Sequence, residues 1–400
     1  MNNLKITEQG ELSLKLLLPL LAAIIAISPL AIDMYLPAMP IMAEQLSTDM
    51  PMIQNSLSIY LLGYALGLLF FGPQADKRSR RKLVMFGISG FIVMSVAIAF
   101  VTSIEQFLSL RFLQAFISSA ATVVVPGTIK ERYGKDTAKG FSYVSMIMMI
   151  APMIAPGIGA VLLLHSWELI FLSLAAYSFI VLLLVYRFLP EVKREKNLSP
   201  VSFLQRYKIV LSNKKSQLNI VSSMIVSLAF FAYITAIPFV YLTVFNVSEF
   251  EFSLLFAINI LALMTAHLIN TRLVSRKGSK RMLAYGLMVA LCFSSLLVVV
   301  NFLQFSLIYT AIAVLPLMGS LSMIAVNADA LIMQEFTREA GTATAVIGTL
   351  RFGIGALAGP ILAYFYDGSA MPFSLLMWCS IVIVLLCQLP NMIQRKVIKD

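Results

Sequence analysis

Charge is what this 400-residue sequence has least of. Only 12% of its residues are Asp, Glu, Lys or Arg, against about 25% in ordinary globular usage, while 60% are hydrophobic. A soluble core of this length cannot absorb so much apolar surface, which excludes a globular soluble protein. Cysteine is scarce as well: Cys292, Cys379 and Cys387 all fall in apolar runs, without metal-ligand spacing and without the partners of a disulfide framework. Two histidines, His165 and His267, lack a second ligand and argue for no metal. A Gly-x-x-x-x-Gly-Lys-Ser/Thr phosphate cradle is missing, so nothing points to ATP as the energy source, and no enzymatic constellation is visible. Acids are the rarer sign, 19 against 30 Lys and Arg, for a net charge of +11. The basic residues sit in short clusters between apolar runs rather than on one solvated face, which excludes a nucleic-acid reader and makes the charge a matter of membrane topology.

What is abundant is apolar length. A bilayer-spanning helix needs about 20 mainly apolar residues, and twelve such runs occupy roughly 14–40, 52–73, 83–102, 106–128, 140–163, 167–189, 217–243, 252–271, 282–301, 306–331, 342–366 and 371–390. The first continues too far for a cleavable signal and is read as the first span.

Lys and Arg collect in every second connection: Lys77, Arg78, Arg80, Arg81 and Lys82; Lys130, Arg132, Lys135 and Lys139; Arg272, Arg276, Lys277, Lys280 and Arg281; Arg338; and the tail Arg395, Lys396 and Lys399. The opposite connections hold no Lys or Arg and carry Glu44, Asp49, Glu105, Glu168, Glu249, Glu251 and Asp367. By the positive-inside rule both termini are cytoplasmic.

The longest break, Pro190 to Ser216, is basic and divides the spans six and six. The cluster Asp76-Lys77-Arg78-Ser79-Arg80-Arg81 recurs about half a chain later as Ser275-Arg276-Lys277-Gly278-Ser279-Lys280-Arg281. The expectation is an all-α membrane protein of twelve transmembrane helices in two pseudo-symmetric six-helix bundles, 1–189 and 217–400, joined by a cytoplasmic linker, 190–216, as in transporters with a substrate site near the bilayer midplane.

A charge at a helix centre in the bilayer costs at least about 2.5–3.5 kcal/mol, so each needs a partner or a water-filled cavity. Four lie well inside the predicted spans: Asp33, Arg111, Asp329 and Arg351. Dry surroundings favour the neutral form of Asp33 and a nearby cation favours the carboxylate, so a site alternating between wet and dry loads and releases a proton. The competing reading places Asp33 at the outer mouth as a solvated or capping residue, because Pro37 and Pro40 follow. Arg111 keeps its proton and is read as a fixed charge that pairs with Asp33 or substrate, or else ties its helix to backbone carbonyls. Asp329 and Arg351 either pair across the tenth and eleventh spans or contact substrate. Tyr35, Tyr60, Tyr64, Met146, Met149, Tyr233 and Asn259 are candidates for an adaptable cavity lining. Gly63-x-x-x-Gly67 and Gly355-x-x-x-Gly359 mark close helix contacts.

Several segments resemble the major facilitator superfamily. Gly72-Pro73-Gln74-Ala75-Asp76-Lys77-Arg78-Ser79-Arg80-Arg81 resembles its loop 2–3 motif G-x-L-A-D-R-x-G-R-R, with Lys77 and Ser79 where the family has Arg and Gly. Arg111-Phe112-Leu113-Gln114-Ala115 resembles R-x-x-Q-G of the fourth helix. Ala151-Pro152-Met153-Ile154-Ala155-Pro156-Gly157-Ile158-Gly159 resembles the antiporter motif of the fifth helix. Ile32-Asp33-Met34-Tyr35-Leu36-Pro37-Ala38-Met39-Pro40 is similar to the first helix of the bicyclomycin-resistance (Bcr/CflA) type of drug:proton antiporter, and 327–345 is similar to that family's helix 10–11 region, with Arg351 where Gln is expected.

The resemblance implies an exporter of amphiphilic drugs that runs on the proton gradient without a cofactor. It acts as a monomer in a bacterial inner membrane, with small molecules, protons and lipid as its partners. It assigns proton coupling to Asp33 and Arg111, a conformational latch to Gly72, Asp76, Arg80 and Arg81, and export to Pro152, Pro156, Gly157 and Gly159. An exporter dedicated to one endogenous metabolite, such as a siderophore or an amino-acid-derived anion, is the alternative. An importer or a non-transporting membrane protein stands further off.

Overall fold

A computed structural model describes residues 2–133, 137–189, 203–336 and 340–397. All regular structure among them is helical: α1 (Asn2–Asp33), α2 (Met39–Gln45), α3 (Met50–Lys77), α4 (Arg80–Ile98), α5 (Ile104–Thr122), α6 (Val125–Tyr133), α7 (Thr137–Leu163), α8 (Glu168–Phe188), α9 (Phe203–Leu211), α10 (Lys214–Pro238), α11 (Glu249–Lys277), α12 (Ser279–Phe302), α13 (Leu307–Glu335), α14 (Ala340–Gly355), α15 (Ala358–Tyr364) and α16 (Met371–Val397). Among the described residues, eleven helical segments are long and apolar enough to cross a membrane, and a shorter apolar stretch, Met148–Leu163 in α7, falls on the predicted fifth span. The chain is therefore a multi-pass membrane protein. Cys292 and Cys379 are exposed and Cys387 half-buried, all three as free thiols.

Four spans expected to be continuous are interrupted. The first passes from α1 through a 3-10 turn, Leu36–Ala38, into α2; the fourth is split into α5 and α6; the eleventh into α14 and α15. Pro40, Pro126 and Pro360 each stand in the first turn of the resuming segment, where a missing N–H costs nothing. In the seventh span Pro238 cannot donate to Ile234, and the chain runs on as a π-helical turn, Phe239–Val244.

Two compact units result: Met1–Ala38 with Gly63–Pro200, and Met39–Leu62 with Val201–Asp400. In the first unit α4 packs on α5 and α8, and α1 on α7 and α8. A Cβ at Gly63 would strike the Phe112 carbonyl and one at Gly67 would meet Ser119 and the Phe116 carbonyl, so this glycine pair does mark a close helix contact, between α3 and α5.

In the second unit α10 lies against α13, α14 and α16, and α13 against α11 and α12. Where α9, α10, α13 and α14 meet, Val210, Ile220, Ile332, Phe336, Ala343, Val346 and Ile347 form a buried cluster. Tyr207 of α9 packs on it and donates to Thr349 Oγ1 at 3.1 Å. Thus α9, within the stretch read as linker, is docked on helices of the second unit, while 190–202 lie outside the described residues.

The N-terminal half of α3 belongs to this second unit. Gln54 Nε2 donates to the Thr235 carbonyl at 3.0 Å, and the Gly359 N–H donates to Ser58 Oγ at 2.8 Å. A Cβ on Gly359 would come within 2.5 Å of Ser58 Oγ and 2.7 Å of Asn55 Oδ1, so only glycine permits this approach.

Ser79 answers one of the departures in the loop 2–3 motif. Its φ is −58°, it starts α4 as N-cap, and its hydroxyl accepts from Lys82 N–H at 3.4 Å. No left-handed residue is needed there. At the equivalent place in the second half Gly278 has φ +78°, which requires glycine.

Candidate functional site

Two of the charged residues buried in the first unit, Asp33 and Arg111, lie within its predicted spans. Asp33 is the last residue of α1 and only 2% exposed, so it is buried in the bundle rather than solvated at a mouth. Its Oδ1 accepts no hydrogen bond. The position is unfavourable for an anion on a second count: the C-terminal end of a helix carries partial negative charge.

Arg111 is fully buried on α5. Its Nη1 donates to Gln114 Oε1 at 2.7 Å and its Nη2 to the Ala31 carbonyl at 3.1 Å. Ala31 lies in the last turn of α1, where carbonyls lack intrahelical partners, so the guanidinium caps that helix. The Tyr35 ring lies 4.6 Å from the guanidinium carbon and the Phe171 ring 5.8 Å, contacts worth about 2 kcal/mol when desolvated. Phe107 packs edge-on against both rings.

The network continues through Gln114 Nε2, which donates to Ser95 Oγ at 2.8 Å, and Ser95 Oγ, which donates to the Phe91 carbonyl at 2.7 Å. The Arg-x-x-Gln spacing thereby gains a physical reason: residues three apart share a helix face, and Gln114 relays the guanidinium of α5 to α4. The two residues read as a coupled pair are thus brought into one unit, but the assigned donors of Arg111 go to Gln114 and Ala31 rather than to Asp33. Of the two readings of Arg111, the tie to a backbone carbonyl is the contact present here.

Gly159 of the fifth-helix motif completes the surroundings of Asp33. A Cβ there would overlap the carbonyl oxygen of Met34, the residue after Asp33, so α7 reaches the end of α1 only because residue 159 has no side chain. A Cβ at Gly157 would meet nothing within 4 Å. Pro152 and Pro156 lie inside α7, which runs through both.

In the second unit Asp329 and Arg351 are paired, Oδ2 to Nη2 at 2.6 Å, and their side chains are 32% and 27% exposed. Ser223 of α10, which nothing in the sequence singled out, bridges them: it donates to Asp329 Oδ1 at 3.0 Å and accepts from Arg351 Nε at 3.0 Å.

The candidate lining residues scatter. Tyr35, Tyr60 and Tyr233 are fully buried and Asn259 nearly so. Tyr35 belongs to the Arg111 surround, Tyr64 donates to Thr122 Oγ1 at 2.7 Å, and Tyr233 stacks on Phe256 at 5.9 Å. Met149 is half-buried, and the side chain of Met146 lies outside the described residues.

Of the latch residues, Gly72 lies in α3, and Arg80 is buried with Nη1 3.5 Å from Thr128 Oγ1. Arg81 donates to the Tyr186 carbonyl and lies over the Tyr186 ring at 5.2 Å. The side chain of Asp76 is outside the described residues, as are those of Lys130, Arg132, Lys135, Lys139 and Arg338. Among the described residues no cluster of His, Cys, Asp and Glu could hold a metal.

Many membrane-crossing helices with charged groups inside the bundle suit a membrane transporter, and the family match makes the chain one rather than an enzyme. The chain belongs to the Major Facilitator Superfamily, whose family model matches residues 21–360. It is 28% identical over 363 residues, 90% of this chain and 91% of the relative, to a bicyclomycin resistance protein homolog of Haemophilus influenzae. It is 29% identical to a chloramphenicol resistance protein of Pseudomonas aeruginosa over 84% of each chain. The crystal structure of the nucleoside transporter NupG superimposes with a TM-score of 0.74 at 15% identity, covering 96% of this chain and 99% of that one, which shows the shared fold. The resemblance to the bicyclomycin-resistance type read from the first helix is thus matched by relatives along nearly the whole chain.

Proposed function

We propose that this protein exports amphiphilic drugs from the bacterial cytoplasm across the inner membrane, exchanging each for protons by alternating access, with both termini cytoplasmic and without a cofactor. Asp33 carries this reading. It is a buried acid at a helix C-terminus, it has an oxygen that accepts no hydrogen bond, and it sits two residues from the carbonyl that Arg111 caps. That setting suits a proton-bearing carboxyl. When the site opens to water the carboxyl loses its proton, and the Arg111 guanidinium becomes its nearby fixed counter-charge. The drug then competes with the proton for the deprotonated centre.

Drug export as the transported direction is supported by the relatives named for bicyclomycin and chloramphenicol resistance. The energy suffices: one charge moved through the membrane is worth about 2.3 kcal/mol per 100 mV, so one or two protons per cycle concentrate a substrate substantially.

Substrate-driven proton release from detergent-purified protein tests the reading, using a panel of cationic, neutral and anionic compounds. Release by several unrelated compounds, lost in Asp33→Asn, is expected. Release unchanged in Asp33→Asn would move coupling to another residue, and release by none of the panel would end the multidrug reading.

A further inference from the structure

The ring of Ser223, Asp329 and Arg351 has features a simple strut between helices does not need. Asp329 lies six residues before the end of α13 and Arg351 eleven residues after the start of α14, about 9 and 17 Å along their helices at 1.5 Å per residue. Both are inside membrane spans, yet their side chains are 32% and 27% exposed. Charged groups at this depth do not face hydrocarbon, because the cost is too high; their open surface faces water. Gly348, one helical turn before Arg351 on the same face of α14, would place a Cβ within 4 Å of no atom among the described residues, so no described side chain packs on that face at this point.

The unused hydrogen-bonding capacity is on the cation. A guanidinium has five N–H donors. Among the described residues Arg351 spends one from Nε on Ser223 and one from Nη2 on Asp329, and Nη1 has no partner. Both Asp329 oxygens already accept. Arg111 differs: it is fully buried and enclosed by Tyr35 and Phe171. What sets Arg351 apart is access: its side chain is 27% exposed, so its remaining donors can be reached by a ligand, whereas Arg111 is sealed inside the bundle. At the next position of α14, Phe352 packs against Phe231 of α10 with ring centroids 5.5 Å apart, an apolar contact between the same two helices that Ser223 and Arg351 join.

We propose that Ser223, Asp329 and Arg351 form a subsite that selects acidic amphiphiles, with the carboxylate of the ligand taking the free donors of Arg351 and Asp329 acting as its built-in competitor. This rests on the transporter reading above and names a substrate class for it.

The test is calorimetric binding to the purified full-length protein near pH 7.5, with three probes: naphthalene-1-acetate, its uncharged amide, and tetraphenylphosphonium. Wild type is expected to prefer the acetate to the amide. Arg351→Gln weakens the acetate about ten- to hundredfold, the worth of a charge-assisted bidentate contact, and leaves amide and phosphonium within about twofold. Asp329→Asn preserves shape, removes the competitor and tightens the acetate. Arg351→Lys keeps the charge without the fork and falls between wild type and Arg351→Gln.

Equal losses for all three probes, no preference for the acetate in wild type, or a weaker acetate in Asp329→Asn would overturn the subsite and leave a strut. If phosphonium-driven proton release persists while the acetate shows no preference, only the subsite fails. If Arg351-dependent acetate binding occurs with no proton release by any compound, the antiport reading fails and the subsite stands.

Discussion

Gly159 offers a sharp test of how the fifth-helix motif acts, because Gly157, two residues away in α7, supplies its own control. A methyl at 159 overlaps the Met34 carbonyl and comes within 3.3 Å of Pro37 Cγ; a methyl at 157 meets nothing. The obstacle at 159 is backbone, which cannot swing aside as a side chain can. Overpacking of this kind costs about 1–3 kcal/mol.

Both glycines lie in a helix interior, so each Gly→Ala change also gains about 0.5–1 kcal/mol of helix propensity. That gain cancels between the two variants, and the difference isolates the steric part. Gly159→Ala is expected to be less stable than Gly157→Ala by about 1–3 kcal/mol, measured as the shift in denaturant unfolding of purified protein followed by the fluorescence of Trp167 in a Trp378→Phe background. Because the displaced backbone adjoins Asp33, Gly159→Ala should also lose substrate-driven proton release while Gly157→Ala keeps it. Equal unfolding of the two variants would refute the claim that this glycine sets the distance between α7 and the end of α1.

Two further outcomes follow from contacts in the second unit. Gly359→Val should push the N-terminal half of α3 away from α15, because Ser58 and Asn55 already fill the space a Cβ would take. Maleimide labelling of Asn55→Cys, in a background without Cys292, Cys379 and Cys387, should then rise severalfold over the same cysteine with Gly359 intact, and no rise would contradict the packing. Burial holds the Tyr207 hydroxyl above the ordinary tyrosine value of 10.0, against a smaller opposing effect of its hydrogen bond to Thr349. The folded protein then keeps this proton to higher pH than the unfolded chain. The contribution of Tyr207 to stability is complete below pH 10 and falls as pH rises toward the folded value. Tyr207→Phe should flatten that part of the alkaline stability profile; an unchanged slope between pH 10 and 11 would assign the loss to other groups.

Much of the fold was legible because its signals are local. The apolar runs needed only hydropathy, and the alternation of Lys and Arg needed only a count between them. The interruptions at Pro40, Pro126 and Pro360 were partly legible: proline announces a break, but not whether the helix resumes, and the spans read as continuous did resume after it. Gly63 and Gly67 were readable as a contact, since small residues one turn apart have few other uses within a membrane. That Gly355 lies against Phe231 and Gly359 against Ser58 was not, because spacing on one helix does not name its neighbour.

By itself, then, the sequence determined the number and order of the spans, the asymmetry of charge across them, and which few residues carry charge into the bilayer. These depend on composition within a window of some twenty residues. Only tertiary structure decided what those charges touch. Arg111 donates to Gln114 and to a carbonyl of α1 and lies against two aromatic rings; Arg351 is joined to Asp329 through a serine 128 residues away in the chain; and half of α3 packs with helices of the other half of the sequence. The physical reason is the same in each case. Hydropathy places a residue in the membrane, whereas a buried polar group takes its partner from whichever helix the packing brings within about 3 Å, and that choice leaves no mark in the local sequence.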